Sequence, residues 1–185
     1  MAKKVCVFLA DGFEEIEGLT VVDLLRRAGI EVTTVSITGQ ELIHGAHQID
    51  VRADKVLETI ETYDDYDMLV LPGGMPGTLH LKDHAGLGAI LQQFYAKKKY
   101  MAAICAAPIV FGKYGFLEGK KATSYPGFEE ELVGATYVTD AVVKSDFLIT
   151  SRGMGTAISF SLALIEVLLG AEKSMEIGKS IIYYS

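Results

Sequence analysis

Apolar residues in this chain come in two spacings. Continuous β-branched and leucine-rich runs, "KVCVFLA", "IEVTTVSI", "DMLVLPGG" and "YMAAI", are short and end in turn residues. Runs of that length, with no polar alternation, predict strands buried on both faces. Longer stretches lie between them. In "EEIEGLTVVDLLRRAG" the apolar residues Ile16, Leu19, Val22, Leu24 and Leu25 fall at helical spacing, and Gly29 supplies the stop. "AGLGAILQQFYAKKK", "GTAISFSLALIEVLLG" and "AEKSMEIGKSII" predict three further helices. "DAVVKSDFLITS" predicts two short strands joined by a turn at Ser145-Asp146, and short strands are expected near residues 41–51 within an irregular stretch.

Strands of this kind separated by helices predict a mostly parallel sheet with helices on both faces, a doubly wound α/β fold of the flavodoxin-like kind. No repeat, linker or low-complexity segment interrupts the 185 residues, so one domain over 1–185 is expected. The net charge of -7 speaks against nucleic acid or an anionic membrane as partner, since both require clustered positive charge. The basic runs Lys97-Lys98-Lys99 and Lys120-Lys121 are short and read as solvated loop ends. No apolar stretch reaches bilayer-spanning length, and "MAKKVCVFLADG" does not read as a signal peptide because its apolar run is cut short at Asp11 and Gly12. Two cysteines far apart in sequence make no disulfide framework, and a cytosolic location is expected.

One of those cysteines stands in unusual company. Cys105 lies where a strand stops and a helix starts, in the frame Ala103-Ile104-Cys105-Ala106-Ala107. That frame fits a nucleophile elbow, a sharp turn in which the backbone crowds the positions two before and two after the nucleophile, so that only small side chains fit there. The unpaired N–H groups of the next helix would favour a thiolate, placing the Cys105 pKa below the roughly 8.5 of a free thiol. The local sequence equally allows a small core residue, as most cysteines are. Cys6, inside "VCVFL", reads as an inert core thiol.

In a doubly wound sheet the loops at the carboxyl ends of the strands meet in one crevice, which brings "DGFEEIE" and "PGGMPG" to Cys105. Gly73 and Gly74 can expose backbone N–H groups as an oxyanion hole shared with Ala106. Glu14, Glu15 and Glu17 can serve simply as partners of a helix dipole. One pointing into the crevice would instead stay protonated and could move a proton. His80 and His84 have i, i+4 spacing but no further ligand, so two surface histidines are expected and no metal.

Taken together, "FLADGFEEIE", "VDLLRRAGIEVT", "YDMLVLPGGMPG", "AAICAAP" and "ITSRGMGTA" resemble the ThiJ/PfpI superfamily, in the branch of the parkinsonism-associated protein and its bacterial relative YajL. The match runs in order through nearly the whole chain. The resemblance implies a homodimer without cofactor and a reactive Cys105. It also implies a protonated Glu17 beside the thiol and an oxyanion site at Gly74 and Ala106. Members of the superfamily are credited with glyoxalase or deglycase action on reactive dicarbonyls and their protein adducts, with oxidative-stress sensing and with chaperone activity. Two positions depart from the pattern. Where many members carry a histidine beside the cysteine, "TSYPGF" places Tyr125, and the partner subunit's arginine of the family falls on His47. Ala106, in place of a histidine, argues against a protease, and the lack of any histidine after His84 argues against a glutamine amidotransferase.

Overall fold

The computed structural model describes residues 2–184. Its strands are β1 (Lys4–Leu9), β2 (Glu31–Ser36), β3 (Leu42–His44), β4 (Asp50–Arg52), β5 (Lys55–Val56), β6 (Met68–Leu71), β7 (Tyr100–Ile104), β8 (Lys121–Ala122), β9 (Thr136–Tyr137), β10 (Val142–Ser145) and β11 (Leu148–Ser151). Its helices are α1 (Glu15–Arg27), α2 (Gly77–Asp83), α3 (Ala85–Ala96), α4 (Pro108–Lys113), α5 (Ala157–Leu169) and α6 (Ala171–Ser180).

Seven strands form one sheet in the order β10-β11-β7-β6-β1-β2-β5, parallel throughout except for β10 against β11. This is the expected flavodoxin-like architecture. Alternation along β1 shows how it is held. Val5, Val7 and Leu9 join the core under α1 and α5, while Cys6, Phe8 and Ala10 join the opposite core with residues of α3 and α4. Every one of these side chains is fully buried, so each contributes on the order of 1–3 kcal/mol of apolar transfer according to its size. The chain leaves β1 toward β2 on one side and reaches β6 on the other, so the strand order reverses between β1 and β6. The crevice of a doubly wound fold lies at that reversal.

Some elements differ from the pattern's prediction. Ile16 and Leu19 were expected to belong to the buried stripe of α1, but they are 50% and 36% exposed, while Glu15 and Glu17 are buried in their place. The first turn of α1 points its carboxylates inward, against the crevice, and its apolar side chains outward. The helix α2 has no counterpart in the predicted pattern. It is separated from α3 by His84, whose extended backbone (φ -76°, ψ 105°) ends one helix while its ring nitrogen caps the next by accepting the Leu87 N–H at 3.1 Å. His84 is therefore a half-buried cap rather than a surface histidine, and His80 contacts the Asp11 carbonyl at 2.9 Å. The lysine runs are tied down rather than free: Lys97 pairs with Asp64, and Lys120 with Asp146 at 2.8 Å. Among the described residues no helix is long and apolar enough to cross a membrane.

Candidate active site

Cys105 follows the last residue of β7 and has φ 64°, a left-handed conformation that is uncommon for a residue with a β-carbon. The flanking Ala103 and Ala107 are fully buried, as the elbow reading requires. Two neighbouring segments tie the turn down. The Cys105 N–H donates to the Ser151 carbonyl at the end of β11 (2.9 Å), and the Cys105 carbonyl accepts from the Tyr125 N–H (2.8 Å). The side chain therefore projects from a backbone that is fixed on both sides.

The loop after β6 closes against it. At Gly73 a β-carbon would lie 2.5 Å from Glu17 Oε2 and 2.6 Å from the Cys105 β-carbon, so only glycine lets the three segments meet. Gly74 has φ 94°, and a β-carbon there would stand 2.2 Å from the Glu14 nitrogen. The Gly73 N–H donates to Glu17 Oε2 at 2.9 Å. That bond withdraws Gly73 from the oxyanion role and makes it the holder of the glutamate. The N–H groups that act on the Cys105 sulfur are those of Gly74 and Ala106.

Glu17 has no solvent-exposed surface. Its Oε1 is buried without a partner of hydrogen-bonding geometry, and the carboxyl's remaining neighbour is the thiol, near enough for each group to shift the other's ionisation. Burial raises Glu17 to about 7, with the Glu14 charge adding to the rise, against the lowering effect of the neighbouring Cys105 thiol and of the Gly73 N–H. The structure corrects the expectation of a low thiol pKa. Burial pushes Cys105 up to about 12, reinforced by the charge of Glu17 and its hydrogen bond, while the Ala106 and Gly74 N–H groups pull it down. The helix that was to favour the thiolate, α4, is only six residues long.

The pair titrates as a unit. Part of what holds the proton on sulfur exists only while Glu17 is ionised. Once Glu17 carries the proton, its O–H can donate to the sulfur, and the thiolate gains a third hydrogen bond instead of facing a second charge. A protonated Glu17 beside a Cys105 thiolate is the form equipped for nucleophilic attack.

The other residues singled out from the sequence take these places. Tyr125 is 52% exposed beside the site, and Cys6 is buried with its thiol pKa raised by burial. His47 lies on the hairpin of β3 and β4 and, within its own chain, engages Glu15. Its N–H donates to Glu15 Oε1 (2.7 Å) and its Nδ1 lies 2.9 Å from Oε2, with Glu14 3.5 Å away. Burial pushes Glu15 up, but these hydrogen bonds outweigh it and hold the carboxyl below the usual range. The bond to Glu15, then the charges of Glu14 and Glu15, raise His47. One neighbour escaped the sequence reading. Gly153 borders the sulfur, and a β-carbon there would be 3.9 Å from Sγ and 3.3 Å from the Tyr125 ring. The signal was "SRGMG", a glycine pair at the end of the strand beside β7.

A cysteine on a strained strand-to-helix turn, with two N–H groups that lower its thiol pKa and a buried carboxyl at its side, defines an α/β protein of the cysteine-elbow class. Residues 3–167 match the DJ-1/PfpI family, and the chain belongs to that family. It is 40% identical over 184 residues to protein dj-1beta of Drosophila melanogaster, covering 98% of each chain. It is 31% identical to the glutathione-independent glyoxalase DJ-1 of Schizosaccharomyces pombe, over 96% of this chain and 97% of that one. The solved structure of oxidized Toxoplasma gondii DJ-1 superposes with a TM-score of 0.94 at 38% identity and full coverage of both chains.

Proposed function

We propose that this protein is a cofactor-free, glutathione-independent glyoxalase of the deglycase type, acting in stress protection on small α-dicarbonyls or their protein adducts. The observation that carries this reading is the fully buried Glu17 carboxyl, held by the Gly73 N–H at 2.9 Å beside Cys105. The Schizosaccharomyces pombe relative, named a glutathione-independent glyoxalase, supports it. The thiolate adds to the aldehyde carbon of a compound such as methylglyoxal, and Glu17 protonates the resulting oxyanion or Gly74 and Ala106 hold it, giving a hemithioacetal. A proton then leaves that carbon and another is delivered to the neighbouring carbon, which oxidises the first and reduces the second. Water cleaves the thioester to a 2-hydroxy acid and restores the thiol. Glu17 serves as the acid and base. Purified protein should convert methylglyoxal to lactate without glutathione, and Cys105→Ser should abolish the conversion. Equal rates in the two proteins would overturn this reading.

A second reading has an observation in its favour. Cys105 is partly exposed and Cys6 is fully buried, so oxidation of Cys105 would meet no resolving thiol. Absence of lactate, together with two oxygens gained by the Cys105 peptide in mild peroxide, would favour a redox sensor or redox-regulated chaperone.

A homodimer belongs to the same proposal. Ile16, Leu19, Ile49 and Ile158 form an exposed apolar surface around a cavity of about 560 Å³ between α1 and α5, a face suited to a second copy. Sedimentation at micromolar concentration should give twice the chain mass, and Leu19→Glu should give a monomer. A monomeric wild type would rule the dimer out. The two free cysteines suit a reducing cytosol.

A further inference from the structure

The mouth of the site carries an aromatic ring where the chemistry does not call for one. Tyr125 is held by its own N–H on the Cys105 carbonyl, and its ring lies against the bare α-carbon of Gly153. One point, the place of a missing β-carbon on Gly153, is within 4 Å of both the ring and Sγ. Because residue 153 is a glycine, no side chain from it separates ring from sulfur. Among the described residues the Tyr125 hydroxyl makes no hydrogen bond, so the ring is not fixed by a polar anchor. Met75, next to Gly74, and Met154, next to Gly153, are half-exposed apolar residues on two loops bordering the thiol.

Among the groups that act on Cys105, Glu17 is the one titratable side chain, and it is fully buried. His47 is taken up by Glu14 and Glu15. Arg152, adjacent to Gly153, turns its guanidinium to the Thr139 carbonyl at 3.3 Å. A flat neutral group would find an open ring face or edge, an interaction worth roughly 0.5–1.5 kcal/mol beyond area burial.

We propose that Tyr125 and Gly153 form a specificity subsite beside Cys105 that accepts a flat apolar substituent, so that the protein takes aryl-substituted carbonyl compounds in preference to unsubstituted ones. The inference rests on Cys105 being the nucleophile of the proposed function, but its test does not require turnover. In alkylation the thiolate displaces iodide and one C–S bond forms, so rates report approach to the sulfur alone. The second-order rates of Cys105 with N-phenyliodoacetamide and iodoacetamide are measured at pH 6.5 and divided by those of free cysteine. The expected order is phenyl over parent amide by about fivefold to tenfold, consistent with one aromatic contact. Tyr125→Ala should remove the phenyl preference and keep the iodoacetamide rate, while Tyr125→Phe keeps the preference. Equal normalised rates for the phenyl and parent amides, or a phenyl preference that survives Tyr125→Ala, would overturn the subsite. Phenylglyoxal and glyoxal then separate the two ideas. Selective labelling without turnover refutes the glyoxalase reading and leaves the subsite standing; turnover of both glyoxals with unselective labelling does the reverse.

Discussion

Replacing Glu17 by glutamine should make the folded protein gain on the wild type as pH rises, by about 3 kcal/mol between pH 4.5 and 8. The sign follows from burial. Glu17 titrates near 7 in the folded chain against an ordinary carboxyl value of 4.5. A raised pKa means that the folded state binds the proton more tightly than the unfolded one, so its contribution is fully present below about 4.5 and is lost as pH climbs through 7. At about 1.4 kcal/mol per unit, the loss is near 3 kcal/mol. It does not depend on which partner gives up the proton, because the pair surrenders one proton in that range either way. Glutamine has nothing to lose there. Urea unfolding at pH 4.5 and pH 8 gives both stabilities, and parallel pH profiles for the two proteins would refute the assignment. Glu17→Gln can still donate to the sulfur through its amide, so iodoacetamide labelling of Cys105 should persist while dicarbonyl turnover falls to background. A variant that turned over as fast as wild type would remove Glu17 from the acid/base role.

Tyr125→His should raise dicarbonyl turnover by up to about a hundredfold, the usual contribution of a positioned acid/base group. The reaction moves two protons between adjacent carbons, and among the groups acting on Cys105 the one side chain able to carry them is Glu17. A tyrosine with an unperturbed pKa of about 10 is a poor base at neutral pH, whereas histidine titrates near the working range. The backbone at residue 125 is already anchored on Cys105, so an imidazole placed there inherits a position next to the sulfur. Wild-type turnover should accordingly be slow, and Tyr125→Phe should change it little. Fast wild-type turnover that collapses in Tyr125→Phe would make the tyrosine hydroxyl a catalytic acid. Steady-state kinetics on methylglyoxal for the three proteins decides between them.

The sheet, its helices and the elbow were legible in the sequence because each left a mark on composition. Buried parallel strands cannot tolerate polar residues, and the crowded turn at Cys105 cannot tolerate bulk. The inward turn of Glu15 was not legible, because helical periodicity scores carboxylates as outward, and that of Glu17 came from the family resemblance and not from the pattern. The residues alone did not say which glycine would serve as donor, although the resemblance placed that role on Gly74. Gly73 and Gly74 are equivalent on paper, and the approach of Glu17 from α1 divides their work. The two-residue strands β5, β8 and β9 are too short to carry a period. The strained thiol environment depended on burial, which outweighed the dipole of a short helix.

The left-handed backbone at Cys105 has a wider meaning. Glycine would sit there at ease, and a side chain costs on the order of 1 kcal/mol in that conformation. Backbone economy alone would favour glycine at this position, and a side chain able to do chemistry stands there instead.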